Sequence, residues 1–334
     1  MKTSATIITG FLGAGKTTLI KHLLRNSDGI RIALIINEFG SLGIDQELIV
    51  GCGDKNCNFE SVVELTNGCI CCTVSDDFLP TIEALLDSPK PPDHIIIEAS
   101  GLALPKSLVR AFNWPEVRSR VSVNGVVAVV DGPAVKSGLF LNDIQEVRSK
   151  LEADFTLDHD NPLQEVFEDQ LLCADIVVLN KSDLLDESSI NSVRADLIGT
   201  VNPGVKVVST IQGDIDPRVL LGIGTRTNDF IEDELPHHDH DEFESFVVDL
   251  TSVDDPQLLE DRIARTSEVY NILRIKGFVE VAGKDMRHVI QAVGSRVERY
   301  YDRPWNQLEN RRSALVVIGE SGIDRAAIES ALRG

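Results

Sequence analysis

The segment GFLGAGKT at residues 10–17 constrains the fold more than any other part of this sequence. It fits the pattern G-x-x-x-x-G-K-[ST] and stands between a β-branched run at Ala5–Thr9 and a helical pattern at Thr17–Asn26. A strand, a glycine-rich loop and a helix in this order form a phosphate-binding loop, because the glycines let backbone N–H groups face the phosphates. Lys16 is then expected as a catalytic charge on the β- and γ-phosphates, and the Thr17 hydroxyl as a ligand of Mg²⁺. The candidate nucleotide-binding residues of this loop are Gly10, Gly13, Ala14, Gly15, Lys16, Thr17 and Thr18.

Short aliphatic runs alternate with helical patterns through the first two thirds of the chain. Strands that alternate with helices and consist of continuous apolar runs are typical of a mostly parallel sheet that is covered on both faces. The fold class of residues 1–227 is therefore predicted as α/β. After Ala5–Thr9, the expected strands are Ile32–Ile36, Ile95–Ile97, Val126–Val130, Ile176–Leu179 and Val205–Val208.

The composition changes after residue 227. Residues 228–243 are dominated by Asp, Glu and His, which predicts an acidic, histidine-bearing linker. Residues 244–334 restart the alternation and predict a smaller α+β domain of the split βαβ, ferredoxin-like kind. Its expected strands are Phe246–Leu250, Ile272–Ile275, Phe278–Val281, Val297–Tyr301 and Ala314–Ile318, and its expected helices are Pro256–Arg265, Asp285–Val293 and Asp324–Leu332.

The charge balance excludes several classes of partner. With 53 acidic against 32 basic residues, the formal net charge is −21 at pH 7. Such a charge disfavours a nucleic-acid partner, because phosphate backbones require clustered positive charge, but local backbone amides can still hold a single nucleotide. No apolar run approaches the roughly 18–20 residues that span a bilayer, and residues 1–4 carry no signal-peptide pattern. A cytoplasmic protein without a membrane partner is expected.

The segment NKSD at residues 180–183 follows a strand-like run and predicts guanine recognition. The Asp183 carboxylate can accept hydrogen bonds from N1–H and the 2-amino group of guanine, which adenine does not supply. Asn180 and Lys181 join it as candidate nucleotide-binding residues. The alternative is a common turn and helix-cap sequence, which the preceding phosphate-binding loop makes the weaker interpretation. The expected ligands are therefore GTP and GDP.

The segment EASG at residues 98–101 places a carboxylate at the end of an aliphatic run. At this position in proteins with a phosphate-binding loop, a carboxylate supports Mg²⁺ and orients the attacking water, so Glu98 is a catalytic candidate and an Mg²⁺ ligand. Gly101 can sense the γ-phosphate through its backbone N–H. The alternative is an acidic residue that only stabilises a helix N-terminus.

Cys69, Cys71 and Cys72 form the pattern C-x-C-C. Three thiols within four residues can present two or three thiolates to one soft or borderline metal ion. In a reducing compartment such a cluster more often binds metal or does redox work than forms disulfides. A redox or incidental cluster is therefore the alternative to a metal site.

Three weaker features stay open at the level of sequence. Cys52 and Cys57 could add metal ligands or be inert. The tract His237–His240 could bind metal, although sparse histidines in an acidic linker are more often only solvated. Cys173 follows two leucines and is expected to be a small buried hydrophobe.

Taken in this order, the motifs resemble those of the CobW family of metal-chaperone GTPases. They are the phosphate-binding loop, NEFG at residues 37–40, the C-x-C-C cluster, EASG and NKSD. The resemblance covers nearly the whole chain, since that family carries a smaller C-terminal domain after an acidic or histidine-bearing linker. Residues 51–57, 64–68 and 111–115 are similar to the cobalamin-biosynthesis branch. The resemblance implies a slow GTPase that binds Co²⁺ at Cys69, Cys71 and Cys72, with Glu38 as a further Mg²⁺ ligand.

The resemblance also implies delivery of Co²⁺ toward the corrin ring. GTP would assemble the metal site through two switch segments, residues 37–53 and the EASG loop, and hydrolysis would release the metal to a protein acceptor, aerobic cobaltochelatase or an enzyme near it. Zn²⁺ stays the alternative cargo, because thiolate sites bind it more tightly than Co²⁺. A metal-responsive regulatory protein with a vestigial GTPase and a thiol oxidoreductase are two further alternatives.

Overall fold

The computed structural model describes residues 2–27, 30–36, 61–64, 78–101, 105–138, 163–222, 243–306 and 311–334. They form two compact units, one of Lys2–Asn202 and Val207–Ile215 and the other of Pro203–Lys206 and Asp216–Gly334. The predicted linker lies outside the described residues except at its end, and the domain boundaries 1–227, 228–243 and 244–334 stay predictions. Within the described ranges, no helix has both the length and the apolar character that crossing a membrane requires.

The sheet of the larger unit has seven strands among the described residues. They are β1 (Thr3–Thr9), β2 (Ile32–Ile36), β3 (Ser61–Glu64), β4 (His94–Glu98), β5 (Val121–Asp131), β6 (Ile176–Asn180) and β7 (Lys206–Ser209). Their order is β3-β2-β4-β1-β5-β6-β7, and the pairs from β3 to β6 are parallel. The helices are α1 (Lys16–Arg25), α2 (Phe78–Leu86), α3 (Pro105–Ala111), α4 (Pro115–Arg118), α5 (Gly132–Lys136), α6 (Leu163–Leu172) and α7 (Glu187–Thr200), with a 3-10 helix at Ser182–Leu184.

Aliphatic strands explain why this sheet is the core of the larger unit. Every residue of β2, β4 and β6 is buried, as expected for strands that are covered on both faces. Helix α1 buries Leu19, Ile20, Leu23 and Leu24, which recur at helical spacing. The predicted α/β class is confirmed.

The strand order brings three of the predicted motifs to one edge of the sheet. Because β4, β1, β5 and β6 are parallel neighbours, their carboxyl ends lie at the same edge. Strand β1 runs into Gly10, β4 ends at Glu98 and β6 ends at Asn180. Ligands bind to sheets of this kind at the carboxyl ends of the strands, so this edge is the place to look for a site.

The smaller unit contains a second sheet, which is antiparallel. Its strands are β8 (Phe243–Leu250), β9 (Ile272–Val279), β10 (Met286–Val293), β11 (Arg296–Pro304) and β12 (Ser313–Glu320), and its helices are α8 (Pro217–Leu221), α9 (Pro256–Val269) and α10 (Arg325–Arg333). The strand order is β11-β10-β9-β12-β8. Helix α9 connects β8 to β9 while β12 lies between these strands, which is the predicted split βαβ arrangement.

Two expectations for this unit are wrong. The helix expected at Asp285–Val293 is strand β10. Its apolar residues mimic helical spacing because Arg287–Val293 are buried on both faces of the strand, which removes the usual alternation. The two strands expected at Ile272–Ile275 and Phe278–Val281 form the single strand β9, which continues through Gly277. Glycine is needed there because β12 lies close: a Cβ atom would be 2.0 Å from the Ala314 carbonyl oxygen.

The smaller unit also contains a buried ion pair whose removal is expected to be costly. The Arg287 guanidinium lies 3.7 Å from the centre of the Phe278 ring and pairs with Asp302, and the two charged side chains are 5% and 0% exposed. Asp302→Asn removes the negative charge that faces a buried cation, so we expect a loss of about 3–5 kcal/mol in the free energy of unfolding. Urea-induced unfolding followed by fluorescence measures it.

Asp249→Asn is the matched control for that substitution. Asp249 pairs with Arg312, but these side chains are 53% and 47% exposed, so the expected loss is below about 1 kcal/mol. Equal losses in the two variants would show that burial does not set the strength of the Arg287–Asp302 pair.

Candidate functional site

The loop between β1 and α1 has the backbone geometry of a phosphate-binding loop. Gly10, Gly13 and Gly15 have φ angles of 134°, 75° and 105°, a region that side-chain-bearing residues rarely adopt. A Cβ atom on Gly10 would lie 2.2 Å from the Val129 carbonyl oxygen, so the loop approaches the backbone of β5 closely. Gly13 is exposed and Ala14 is buried, so the loop rests on the sheet with one side open to solvent.

Lys16 lies at the first position of α1 and its side chain turns back into the loop. Its Nζ donates to the carbonyl oxygens of Gly10, at 2.8 Å, and Phe11, at 3.2 Å. The side chain is buried, so the ammonium group is held inside the loop rather than in bulk water. A fixed positive charge in a loop of backbone N–H groups is suited to bind phosphate oxygens.

Thr17 and Glu98 meet beside this loop. The Thr17 hydroxyl donates to Glu98 Oε1 over 3.4 Å, and Glu98 is 5% exposed at the end of β4. A hydroxyl and a carboxylate are hard oxygen donors, the type that Mg²⁺ prefers, so these residues fit the predicted cation. Thr18, the next residue of α1, is exposed.

Gly101 lies against the same loop. A Cβ atom at this position would come within 2.7 Å of the Leu12 backbone nitrogen, so only glycine allows the two segments to approach this closely. The Gly101 carbonyl oxygen accepts a hydrogen bond of 3.1 Å from Nε2 of Gln170 in α6. The structure therefore brings Lys16, Thr17, Glu98 and Gly101 together at this loop.

Asn180 binds two loops of the protein itself. Its Nδ2 donates to the Ala14 carbonyl oxygen at 2.9 Å, and its Oδ1 accepts from the Gly213 backbone N–H at 3.0 Å. The side chain is 2% exposed, so both ends of the amide are satisfied in a buried position. The described contacts of Asn180 thus join the phosphate-binding loop to the segment at 210–215.

The next residues of the NKSD segment point in different directions. Lys181 has a φ of 59° and its Nζ lies 2.5 Å from Oδ2 of Asp131. The other carboxylate oxygen, Asp131 Oδ1, accepts from the Ala134 N–H in α5. Asp183 lies in the 3-10 helix and is exposed. Its carboxylate is therefore available at the surface beside the carboxyl end of β6.

Sequence reasoning did not identify the segment at 210–215 as part of this site. The Thr210 N–H donates to the Leu179 carbonyl oxygen, and the Ser182 hydroxyl donates to the Thr210 carbonyl oxygen at 2.9 Å. These bonds hold the segment beside NKSD. The sequence feature that points to this segment is its position directly after the last predicted strand of the α/β domain, where ligand-binding loops lie.

The proposed metal ligands lie outside the described residues. These are Glu38, Cys69, Cys71 and Cys72, together with the weaker candidates Cys52, Cys57, His237, His238 and His240. Where the structure does describe the chain, it contains no group of three or more His, Cys, Asp or Glu side chains that could hold a metal ion. Cys173 is half-buried next to the apolar core, and burial raises the pKa of its thiol, which suits an unreactive residue.

Comparisons with known proteins match both units. Residues 4–209 match the family model described as "CobW/HypB/UreG, nucleotide-binding domain", and residues 243–334 match "Cobalamin synthesis protein cobW C-terminal domain". The chain is 49% identical to a protein of Sinorhizobium sp named "Zinc chaperone CobW", covering 99% of this chain and 96% of that one. It is 46% identical to a protein of the same name from Pseudomonas aeruginosa, covering 99% and 91%. The solved structure of Zn(II)-bound YjiA GTPase from E. coli is 24% identical over both full chains, with a TM-score of 0.44.

The bridging contacts of Asn180 generate a prediction. Asn180→Ala removes both hydrogen bonds, so the two loops lose their common anchor and the buried carbonyl of Ala14 loses a donor. We expect an unfolding free energy about 1–3 kcal/mol lower and GDP and GTP affinities weaker by about tenfold or more. Titration with a fluorescent guanine nucleotide and thermal unfolding measure the two effects.

Asn202→Ala serves as the control. Asn202 also donates from its side chain to a backbone carbonyl, that of Leu172, but it is exposed and this bond reaches neither loop. Its loss should leave nucleotide affinity within about twofold of the wild type. A wild-type affinity in Asn180→Ala would contradict the anchoring role.

Proposed function

Since the chain belongs to the CobW family of metallochaperone P-loop GTPases, we propose that it binds Zn²⁺ in a GTP-dependent manner and delivers it to a protein acceptor. The observation that carries the choice of zinc is the 46–49% identity, over nearly the whole chain, to two relatives that are named zinc chaperones. The bound nucleotide is proposed to be GTP or GDP, because the exposed Asp183 carboxylate suits the edge of guanine.

The identity of the metal is where this proposal departs from the expectation drawn from resemblance. The sequence motifs imply Co²⁺ and delivery to corrin synthesis, but the relatives of highest full-length identity described above are named for zinc. In the usual order of affinities a thiolate site also binds Zn²⁺ more tightly than Co²⁺. Co²⁺ as cargo, aerobic cobaltochelatase as acceptor and a cytoplasmic location stay predictions.

The proposed roles at the nucleotide follow from the positions of the side chains. Lys16 would place its charge on the β- and γ-phosphates, and Gly101 would present its N–H to the γ-phosphate. Thr17 and Glu98 would hold Mg²⁺, which when bound neutralises phosphate charge. Glu98 would in addition orient the attacking water, since its carboxylate is held at the end of β4 beside the loop.

The proposed metal site is Cys69, Cys71 and Cys72, on the sequence grounds given above. These cysteines lie in the chain between the first switch segment at 37–53 and the EASG loop. Binding of the γ-phosphate could therefore change their arrangement from both sides. By thermodynamic reciprocity, the metal would then tighten GTP binding by the factor by which GTP tightens metal binding.

Anaerobic metal titrations with GTPγS or GDP test this proposal. We expect Zn²⁺ to bind about five- to 150-fold more tightly in the GTPγS state, the range of ordinary allosteric coupling, and Co²⁺ to bind through thiolates but more weakly than Zn²⁺. Cys71→Ser should abolish that binding, whereas Cys173→Ser is the control that retains it. Equal affinity in the two nucleotide states would contradict the switch, and tighter Co²⁺ than Zn²⁺ would restore cobalt as the cargo.

Guanine recognition is tested separately by Asp183→Asn. The asparagine oxygen can still accept a hydrogen bond from N1–H of guanine, but the asparagine NH₂ group then faces the 2-amino group, and both are donors. Xanthine carries an oxygen at that position, to which the asparagine NH₂ group can donate. We expect GDP affinity to fall by at least about 100-fold and xanthosine diphosphate affinity to rise. Asp196→Asn, an exposed residue of α7, removes the same charge and should change neither affinity.

A further inference from the structure

Helix α6 contacts the nucleotide site at more than one point. The Phe167 ring stacks on the ring of Phe11 in the phosphate-binding loop, with centroids 5.8 Å apart. Gln170 lies three residues further along, on the same face of the helix, and its Nε2 donates to the Gly101 carbonyl oxygen at 3.1 Å. One helix face therefore touches both the loop that holds phosphates and the glycine proposed to sense the γ-phosphate.

The hydrogen bond from Gln170 restrains a residue whose backbone has no side chain to limit its dihedral angles. Glycine has no Cβ atom, so its backbone dihedral angles are poorly restricted by sterics. Upstream of Gly101, the Ala99 N–H donates to the Ile8 carbonyl oxygen at 2.8 Å and fixes the chain to β1. Downstream, Gln170 holds the Gly101 carbonyl, and with it the planar peptide group to which that carbonyl belongs. The Gly101 N–H lies between these two anchors.

The same helix holds the chain just beyond Gly101. Asp169 pairs with Lys106, the second residue of α3, and this hydrogen bond raises the pKa of the Lys106 ammonium group. Gln170 is 1% exposed, whereas the Asp169 and Lys106 side chains are 30% and 47% exposed. The buried amide is therefore the stronger of the two restraints, because solvent screens the ion pair.

We infer that Gln170 is a positioning residue that sets the Gly101 N–H for the γ-phosphate and so determines how strongly the protein distinguishes GTP from GDP. The inference rests on the proposed function, in which Gly101 responds to the γ-phosphate. GDP has no γ-phosphate, so its binding does not draw on the orientation of Gly101. GTP binding does depend on that orientation. Without the restraint from Gln170, bound GTP would have to order the Gly101 backbone itself, which would weaken the affinity for GTP.

The test compares two variants of Gln170 with a control on the same helix. Gln170→Met keeps the volume but removes the donor, and Gln170→Glu keeps the shape but replaces the donor with an acceptor. Gln164→Met is the control, since Gln164 is exposed and its amide donates to Glu168 on the helix surface. Dissociation constants for GTPγS and GDP, both with Mg²⁺, are measured by isothermal titration calorimetry.

We expect both Gln170 variants to bind GTPγS about five- to tenfold more weakly, while GDP affinity changes by less than about twofold. Gln164→Met should change neither. An equal loss for GTPγS and GDP would overturn the inference and leave Gln170 as general support for the loop, and so would unchanged affinities for both. Thermal unfolding identifies a variant that fails to fold, and the remaining variant then decides the outcome.

This result is separable from the fate of the proposed function. If the wild-type protein bound Zn²⁺ equally well with GTPγS and GDP, the chaperone cycle would be wrong. The ratio of nucleotide affinities in the Gln170 variants involves no transported metal, so it would still decide whether Gln170 positions Gly101.

Discussion

Two hydrogen bonds of one buried amide join two loops at the carboxyl edge of the larger sheet. Asn180 is separated by 166 residues from Ala14 and by 33 from Gly213, yet its side chain bonds to the backbone of both. Separating either loop from Asn180 would leave a buried polar group without its partner, which costs about 1–3 kcal/mol. The stability of the phosphate-binding loop and that of the segment at 210–215 are therefore coupled.

Among the described residues, the strand order brings several of those predicted from local motifs to one edge of the sheet. Lys16, Thr17 and Glu98 are candidates from sequence because each lies at the end of a strand or in or directly after a glycine-rich loop with a distinctive pattern. The contacts of Asn180 with Gly213 and of Gln170 with Gly101 could not, because they depend on which strands become neighbours. A single sequence contains no direct signal for such pairings, whereas the spacing of glycines and a lysine within eight residues is visible in the sequence itself.

The smaller unit contains cations whose positions the sequence does not explain. Its sheet buries charged residues: Arg274 is 1% exposed and donates to the carbonyl oxygens of Val219 and Leu220, the final turn of α8, while Lys276 donates to the Gly222 carbonyl. The last carbonyls of a helix lack partners within it, so cations from β9 satisfy them. A lysine and an arginine within a strand suggest a solvent-facing edge, but here the buried Arg274 and the half-buried Lys276 bond to the carbonyl oxygens of a helix end.

The chemistry of thiolate metal sites explains why a nucleotide would be coupled to metal transfer at all. Structural Zn²⁺ sites bind with apparent free energies of about 10–16 kcal/mol, so a site that captures zinc from a dilute pool releases it slowly. A coupling of about 1–3 kcal/mol to a bound nucleotide does not abolish metal binding at such a site. It does change the fraction of sites that hold metal when an acceptor competes for it. The γ-phosphate supplies more of this coupling if the backbone that detects it is already ordered, since ordering a flexible glycine consumes part of the binding free energy. In the proposed cycle, the restraint of Gly101 between β1 and α6 would therefore leave more of the free energy of the γ-phosphate contact for coupling to the metal site.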